Sequence, residues 1–166
     1  MLLDELEAER RLTVAQLQRI FARESGRSNF GSTLVEAVAS GAPQLERNGA
    51  WLLRRFVDQG GALAPQEWEL VVDGLAGVKD WVARLELCRL LVNHPELFAT
   101  APDAIADYLR ACVRDPKPFV RAWAYTAWHA FGKEHATYRA EAKRVLAAAR
   151  REAPKSVQAR LRQFAA

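Results

Sequence analysis

Apolar residues recur at helical spacing along most of the chain, and short polar or glycine- and proline-containing breaks separate them. In the segment from about Gln44 to Gln59, for example, Leu45, Leu52 and Phe56 fall on one face of a helix. The alternation of apolar and polar residues that marks a half-buried strand is absent. The pattern therefore predicts an all-α protein.

Helix starts are marked by residues whose side chains can accept hydrogen bonds from the first backbone amides. Thr13 followed by Gln16 has the spacing of a capping box, which predicts a helix start at that point. Ser28 and Asp80 are predicted N-caps, the second for a helix over Trp81–Asn93. These signals divide the chain into helices joined by short loops, as antiparallel helix pairs require.

The helices recur with a nearly constant period. The helices form pairs, and the first apolar residue in the second helix of each pair is Leu45, Val82, Val120 or Val157. These residues are separated by gaps of 37, 38 and 37 residues. This period predicts a single repeat domain over residues 1–166, in which each helix pair buries its apolar face against the next pair. Its predicted parts are an N-terminal cap over 1–26 and repeats over about 28–61, 64–95, 100–133 and 137–166.

The stretch 115–121, DPKPFVR, followed by Ala124 and Ala127, resembles the turn and second helix of HEAT repeats. The resemblance implies a right-handed α-solenoid of about four HEAT-like helix pairs with an N-terminal capping helix. It also implies that Asp115 and Arg121 are ladder residues that pair with neighbouring repeats. The other repeats match more loosely, because Arg84 falls one position late. The main alternative is an irregular helical bundle around a single core.

In HEAT arrays the second helices line the concave face, which makes their outward positions the candidate partner-binding surface. A helical wheel for each second helix predicts which side chains turn away from the first helix of the pair. Arginine and tryptophan together are typical of binding surfaces. The alternative is a solvated helix face with the tryptophans packed inside. The predicted partner-binding residues are Arg47, Trp51, Arg54, Arg84, Trp123, His129 and Arg160.

Composition adds a moderate positive charge and little candidate chemistry. The net charge is +4, with nineteen arginines and five lysines, which permits an acidic protein or a nucleic acid as partner. Many arginine-rich helical proteins have no such partner. Cys88 and Cys112 lie in apolar helical stretches and are predicted to be buried small residues. No metal-ligand spacing, phosphate-binding loop or nucleophile motif occurs, so no metal, cofactor or catalytic residue is predicted.

The primary functional hypothesis is a non-enzymatic protein-binding or scaffold module. No membrane-spanning run or export signal is evident, so a cytoplasmic location is expected and no membrane partner is predicted. The alternative is nucleic-acid binding, because Asp80, Trp81, Trp123 and Trp128 suggest a weaker resemblance to HEAT-like DNA alkylation-repair glycosylases. The Trp-x-x-x-Asp arrangement of that family is missing, and the chain is shorter. A homodimer through the C-terminal repeat, at Val157 to Phe164, is a third hypothesis.

Overall fold

In the computed structural model, which describes residues 1–8 and 11–164, the regular elements are all helices. The prediction of an all-α protein is confirmed for these ranges. Short 3₁₀ helices occupy Leu75–Gly77, Pro95–Ala99 and Ala136–Tyr138. The α-helices are α1 Leu2–Leu6, α2 Val14–Glu24, α3 Phe30–Ala39, α4 Pro43–Asp58, α5 Pro65–Gly74, α6 Trp81–Asn93, α7 Pro102–Cys112, α8 Pro118–Glu134, α9 Arg139–Ala149 and α10 Lys155–Phe164.

Two of the three predicted helix starts are confirmed by their hydrogen bonds. The Thr13 hydroxyl accepts from the Gln16 amide at 3.2 Å, and the Gln16 side chain accepts in return from the Thr13 amide at 2.8 Å. Asp80 Oδ1 accepts from the amides of Val82 and Ala83 at 2.9 and 3.0 Å. The prediction for Ser28 is wrong, because the following residue is the N-cap of α3 and makes no side-chain capping bond.

The chain forms two compact units, Met1–Leu87 and Cys88–Ala166, and the boundary falls within α6. In the first unit, α3 and α4 pack as a close antiparallel pair. A Cβ atom on Gly49 of α4 would lie 2.7 Å from the Cβ of Ala37 on α3, so only glycine permits this approach. Phe30 packs edge-on against both Phe21 and Phe56 at the centre of this unit.

In the second unit, the long helix α8 packs against α7, α9 and α10. Trp128 and Phe131 of α8 are fully buried, and Phe131 also contacts Phe98. Val157 and Leu161 of α10 are buried in a cluster with Ala122 and Tyr125 of α8 and Ala149 of α9. The apolar side of α10 is therefore packed within its own unit. None of the helices within residues 1–8 and 11–164 is long and apolar enough to cross a membrane.

One side-chain contact recurs at a constant spacing of 37 residues in the second helices. Arg84 Nη1 donates to the carbonyls of Val78 and Lys79, six and five residues earlier, at 3.2 and 3.1 Å. Arg121 Nη1 donates in the same way to the carbonyls of Asp115 and Pro116, at 2.8 and 3.2 Å.

The last helix, α10, carries the third copy of this contact. The side-chain amide of Gln158 donates to the backbone carbonyl of Glu152, again six residues earlier. The register predicted from apolar anchors is therefore wrong by one residue for the first two pairs. Ala83, not the half-buried Val82, is the equivalent of the fully buried Val120 and Val157. The predicted domain and repeat boundaries remain a prediction.

Glu46 occupies the equivalent position of the first pair and is also fully buried. Its Oε2 atom accepts hydrogen bonds from the backbone amides of Lys79 and Asp80 at 2.8 and 2.9 Å. A buried carboxylate is tolerated when such bonds replace its hydration. Glu46 therefore links α4 to the turn that precedes α6.

Candidate functional site

Arg47, a predicted partner-binding residue, lies in an internal ion pair of the first unit. Its Nε and Nη2 atoms donate to Asp80 Oδ2 at 3.0 and 2.6 Å, and the two side chains are 21% and 6% exposed. Asp80 also caps α6 through its other carboxylate oxygen. Both residues are thus committed to holding the start of α6 against α4.

Arg54 is engaged in a similar way. It forms ion pairs with Glu86 and, at 2.9 Å, with Asp58, and only 14% of its side chain is exposed. Trp51, one turn earlier, is half-buried, and the Arg55 guanidinium lies 5.7 Å from its ring centroid. Since the predicted arginines of this unit, including Arg84, contact carboxylates or carbonyls of the protein itself, their positive charge is largely used internally.

In the second unit, two predicted residues come together: Trp123 of α8 and Arg160 of α10. The Arg160 guanidinium carbon lies 3.7 Å from the centroid of the Trp123 ring, which is direct stacking. The guanidinium of Arg89, from α6, lies 5.2 Å from the same centroid. Two cationic side chains therefore lie against one aromatic ring.

Arg160 lacks an acidic partner among the residues that the structure describes. Its polar contact is a long hydrogen bond of 3.4 Å from Nε to the Thr126 hydroxyl. Burial and the positive charge of Arg89 lower the pKa of Arg160. Arginine stays protonated at physiological pH nonetheless, so the site holds a partly desolvated positive charge that an anion would stabilise.

His129, also predicted to face a partner, stacks on Phe164 of α10 with ring centroids 4.7 Å apart. Burial and the nearby charge of Lys133 lower the pKa of His129, which favours the neutral imidazole at pH 7. Trp123 and His129 are thus half-covered by α10, and sequence reasoning, which considered one helix at a time, did not predict this cover.

Beside His129, a cavity of about 370 Å³ opens between α8 and α9. Gly132, Ala142 and Leu146 supply an apolar wall. The cationic side chains around it are Lys133, Arg139 and Lys143, and all three residues are exposed.

These three cations make no ion pair or hydrogen bond with an acidic side chain among residues 1–8 and 11–164. By contrast, Arg110 of α7 forms ion pairs with Glu141 at 2.7 Å and with Asp107 at 2.6 Å. The cavity therefore combines apolar contact area with uncompensated positive charge.

The charge of the chain is divided unequally between its two units. Residues 1–87 hold ten Lys and Arg against thirteen Asp and Glu, a net charge of −3. Residues 88–166 hold fourteen Lys and Arg against seven Asp and Glu, a net charge of +7. The positive surplus of the protein therefore belongs to the unit that carries Trp123, Arg160 and the cavity.

The predicted ladder residues contact their own turn and the following helix pair. Asp115 is 6% exposed, and its Oδ1 atom accepts from the Lys117 amide at 2.8 Å. Arg121 adds an ion pair with Glu152 at 3.0 Å, between side chains that are 18% and 21% exposed. These contacts lie at turns and helix ends, where they fix the packing of neighbouring helices.

Both cysteines are free and buried, as the sequence predicted. The neighbouring Cys112 thiol and burial raise the pKa of Cys88, so the reactive thiolate is disfavoured. Among the described ranges, no three His, Cys, Asp or Glu side chains come together as a metal site.

Sequence reasoning predicted His129 but missed the other residues around the cavity. Arg139 and Lys143 are four residues apart and so lie on one face of α9, and Ala142 and Leu146 lie beside them. A search for small apolar residues bordered by cations at helical spacing would have identified this face. Arg89 carried no such signal, since its proximity to Trp123 depends on the packing of distant helices.

Comparison of the chain with protein-family models, curated proteins and solved structures finds no match.

Proposed function

We propose that this protein is a non-enzymatic protein-binding module, built as a right-handed HEAT-like α-solenoid of about four helix pairs. The repeat architecture is supported by the contact that Arg84, Arg121 and Gln158 make at intervals of 37 residues. A side chain that repeatedly ties a second helix to the turn before it suits a stack of similar units. The first pair differs, because Glu46 and Arg47 reach forward to the next turn instead.

The observation that carries the binding function is the stacked pair Trp123 and Arg160, with Arg89 beside the same ring. Among the described residues Arg160 has no carboxylate partner, although Arg47, Arg54 and Arg121 do. Arginine and tryptophan on one partly desolvated surface are typical of the residues that dominate protein interfaces. An acidic group of a partner would compensate the partly desolvated charge of Arg160.

Nucleic-acid binding is the second candidate, and the net charge of +7 on residues 88–166 favours it. Two contacts favour a protein partner instead. Arg160 covers a face of the Trp123 ring, which restricts the base stacking that single-stranded nucleic acids use. Asp80, the aspartate considered for base-excision chemistry, is 7% exposed and engaged by Arg47 and the start of α6.

The test is affinity capture from a nuclease-treated extract of the source cell, with the immobilised wild-type protein and two variants. Arg160→Gln should reduce capture of specific proteins, because it removes both the positive charge and the guanidinium group stacked on Trp123. Arg162→Gln, an exposed arginine of the same helix, is the matched control and should capture like the wild type. Equal capture by Arg160→Gln would contradict the proposal. Capture that occurs only in a parallel extract without nuclease treatment would favour the second candidate.

A further inference from the structure

The cavity between α8 and α9 has an apolar floor that is formed by the contact of the two helices. Gly132 and Ala142 meet where the two helices are closest, since a Cβ atom on Gly132 would lie 2.6 Å from the Cβ of Ala142. This contact fixes the floor of the cavity. Leu146 and the imidazole of His129, which is itself held by Phe164, form apolar sides.

The rim of the cavity is positive on several sides. Lys133 follows the floor on α8, and Arg139 and Lys143 stand one turn apart on α9. Like charges held this close disfavour the folded state slightly, and no acidic side chain within the described ranges compensates them. A net +7 over the whole unit adds to the same positive potential.

The two properties together define the occupant. The volume of about 370 Å³ falls at the lower end of the range for ligand pockets, about 300–1,000 Å³. The apolar floor accepts an aliphatic side chain, and the rim accepts carboxylates on either side of it. A plain polyanion would use the rim but leave the floor empty.

We infer that this cavity binds an acidic peptide segment of a partner protein, with a leucine-like side chain on the Gly132–Ala142 floor and flanking carboxylates on Lys133, Arg139 and Lys143. The inference rests on the proposed protein-binding function and names the chemistry of the partner. It also places the contact on α8 and α9, beyond the Trp123 and Arg160 pair.

The test uses a fluorescently labelled, end-blocked octapeptide that contains two leucines among six glutamates, with binding to the full chain followed by anisotropy. Replacing the leucines of the peptide with serine should weaken binding about tenfold or more, because the apolar contact is lost. Replacing its glutamates with glutamine should abolish measurable binding. On the protein, Lys133→Gln and Lys143→Gln should each weaken binding about two- to fivefold, the usual range for accessible ion pairs.

Lys155→Gln is the matched control, since it removes an exposed lysine of the same unit that does not line the cavity. At the same ionic strength, Lys155→Gln should bind the octapeptide with the affinity of the wild type. Amide shifts of an isotopically labelled sample should centre on Gly132 and Ala142 when the octapeptide is added. Gly49, in the other unit, serves as an internal reference.

Several outcomes would overturn the inference. They are absence of octapeptide binding, equal binding of the serine-substituted peptide, equal weakening by Lys133→Gln and Lys155→Gln, or tighter binding of a single-stranded oligonucleotide with the same charge. The experiment distinguishes failure of the peptide-binding cavity from failure of the proposed protein-binding function. If Arg160-dependent capture of proteins persists while the octapeptide does not bind, only the assignment of the cavity falls.

Discussion

Replacing Arg121 with alanine removes a recurring contact whose contribution to stability can be worked out from its geometry. The Arg121 guanidinium donates to two backbone carbonyls at 2.8 and 3.2 Å and to the Glu152 carboxylate at 3.0 Å. Hydrogen bonds from charged groups contribute about 1.5–3 kcal/mol, whereas an exposed ion pair contributes about 0–1 kcal/mol. Because the two side chains are only 18% and 21% exposed, the ion pair should contribute toward the upper end of that range.

The expected loss is about 2–3 kcal/mol in the free energy of unfolding, because both carbonyls lose a charged donor. For a chain of this length the midpoint of thermal unfolding should fall by about 5–10 °C. Urea titration followed by circular dichroism measures the first quantity, and calorimetry measures the second. Arg162→Ala, an exposed position in α10, is the matched control and should change stability by less than about 0.5 kcal/mol.

Arg121→Gln gives a sharper test than alanine alone. At the equivalent position of the last pair, Gln158 donates to the carbonyl six residues earlier. Glutamine at position 121 should therefore keep one neutral hydrogen bond and recover about 1 kcal/mol relative to alanine. If Arg121→Ala unfolds like Arg162→Ala, or if alanine and glutamine variants are equally stable, the recurring contact does not stabilise the protein.

Three further outcomes follow from packing and protonation. Gly49→Ala should lower the free energy of unfolding by about 1–3 kcal/mol in urea titration, because its Cβ would overlap Ala37, whereas Gly74→Ala, with 3.6 Å of room, should not destabilise. Stability should fall as the pH drops below 6.5, because the folded state lowers the pKa of His129 and the unfolded state then binds more protons; His129→Gln should flatten the pH profile of urea midpoints. The buried Cys88 should react with a thiol reagent only as fast as the protein unfolds, which a reagent-concentration series would show.

Helix boundaries were the most predictable part of the fold, because their signals are local. The capping box at Thr13 and the N-cap at Asp80 need only a side chain within three residues of the amides it accepts from. Ser28 shows the limit of this reasoning. Several polar residues precede α3, and the sequence alone does not indicate which of them adopts the N-cap conformation.

The repeat register was less predictable, because it was inferred from hydrophobicity. Apolar anchors begin at Leu45 in the first pair, and the polar residue beside it, Glu46, does not fit an apolar pattern. Glu46 is fully buried, and amides of the turn before α6 donate to one of its two carboxylate oxygens, Oε2. A pattern search cannot detect a buried carboxylate whose partners are backbone groups 33 and 34 residues away.

The predicted site residues fall into two groups, because a sequence pattern does not show contacts between residues that are distant along the chain. A helical wheel places Arg47 and Arg54 away from the first helix of their pair, but it does not show that Asp80 and Glu86 meet them there. These partners lie 33 and 32 residues further along the chain. Trp123 and Arg160 were predicted for the same surface, and their direct stacking depends on the way α10 packs against α8.

The arginines and lysines of this protein therefore fall into two chemical classes. Arg47, Arg54 and Arg121 neutralise carboxylates of the chain itself, so their removal leaves a buried or half-buried partner unsatisfied. Arg160 and Lys143 have no acidic partner within the described residues, so their removal should lower stability little and relieve repulsion. Arg121 contacts Asp115, Pro116 and Glu152, whereas Arg160 contacts Trp123 and Thr126, so the effects of Arg121 and Arg160 variants on stability and on binding should add when they are combined. A positive charge that does not stabilise the fold, retained on one unit next to apolar surface, is the physical basis for assigning that unit to an acidic partner.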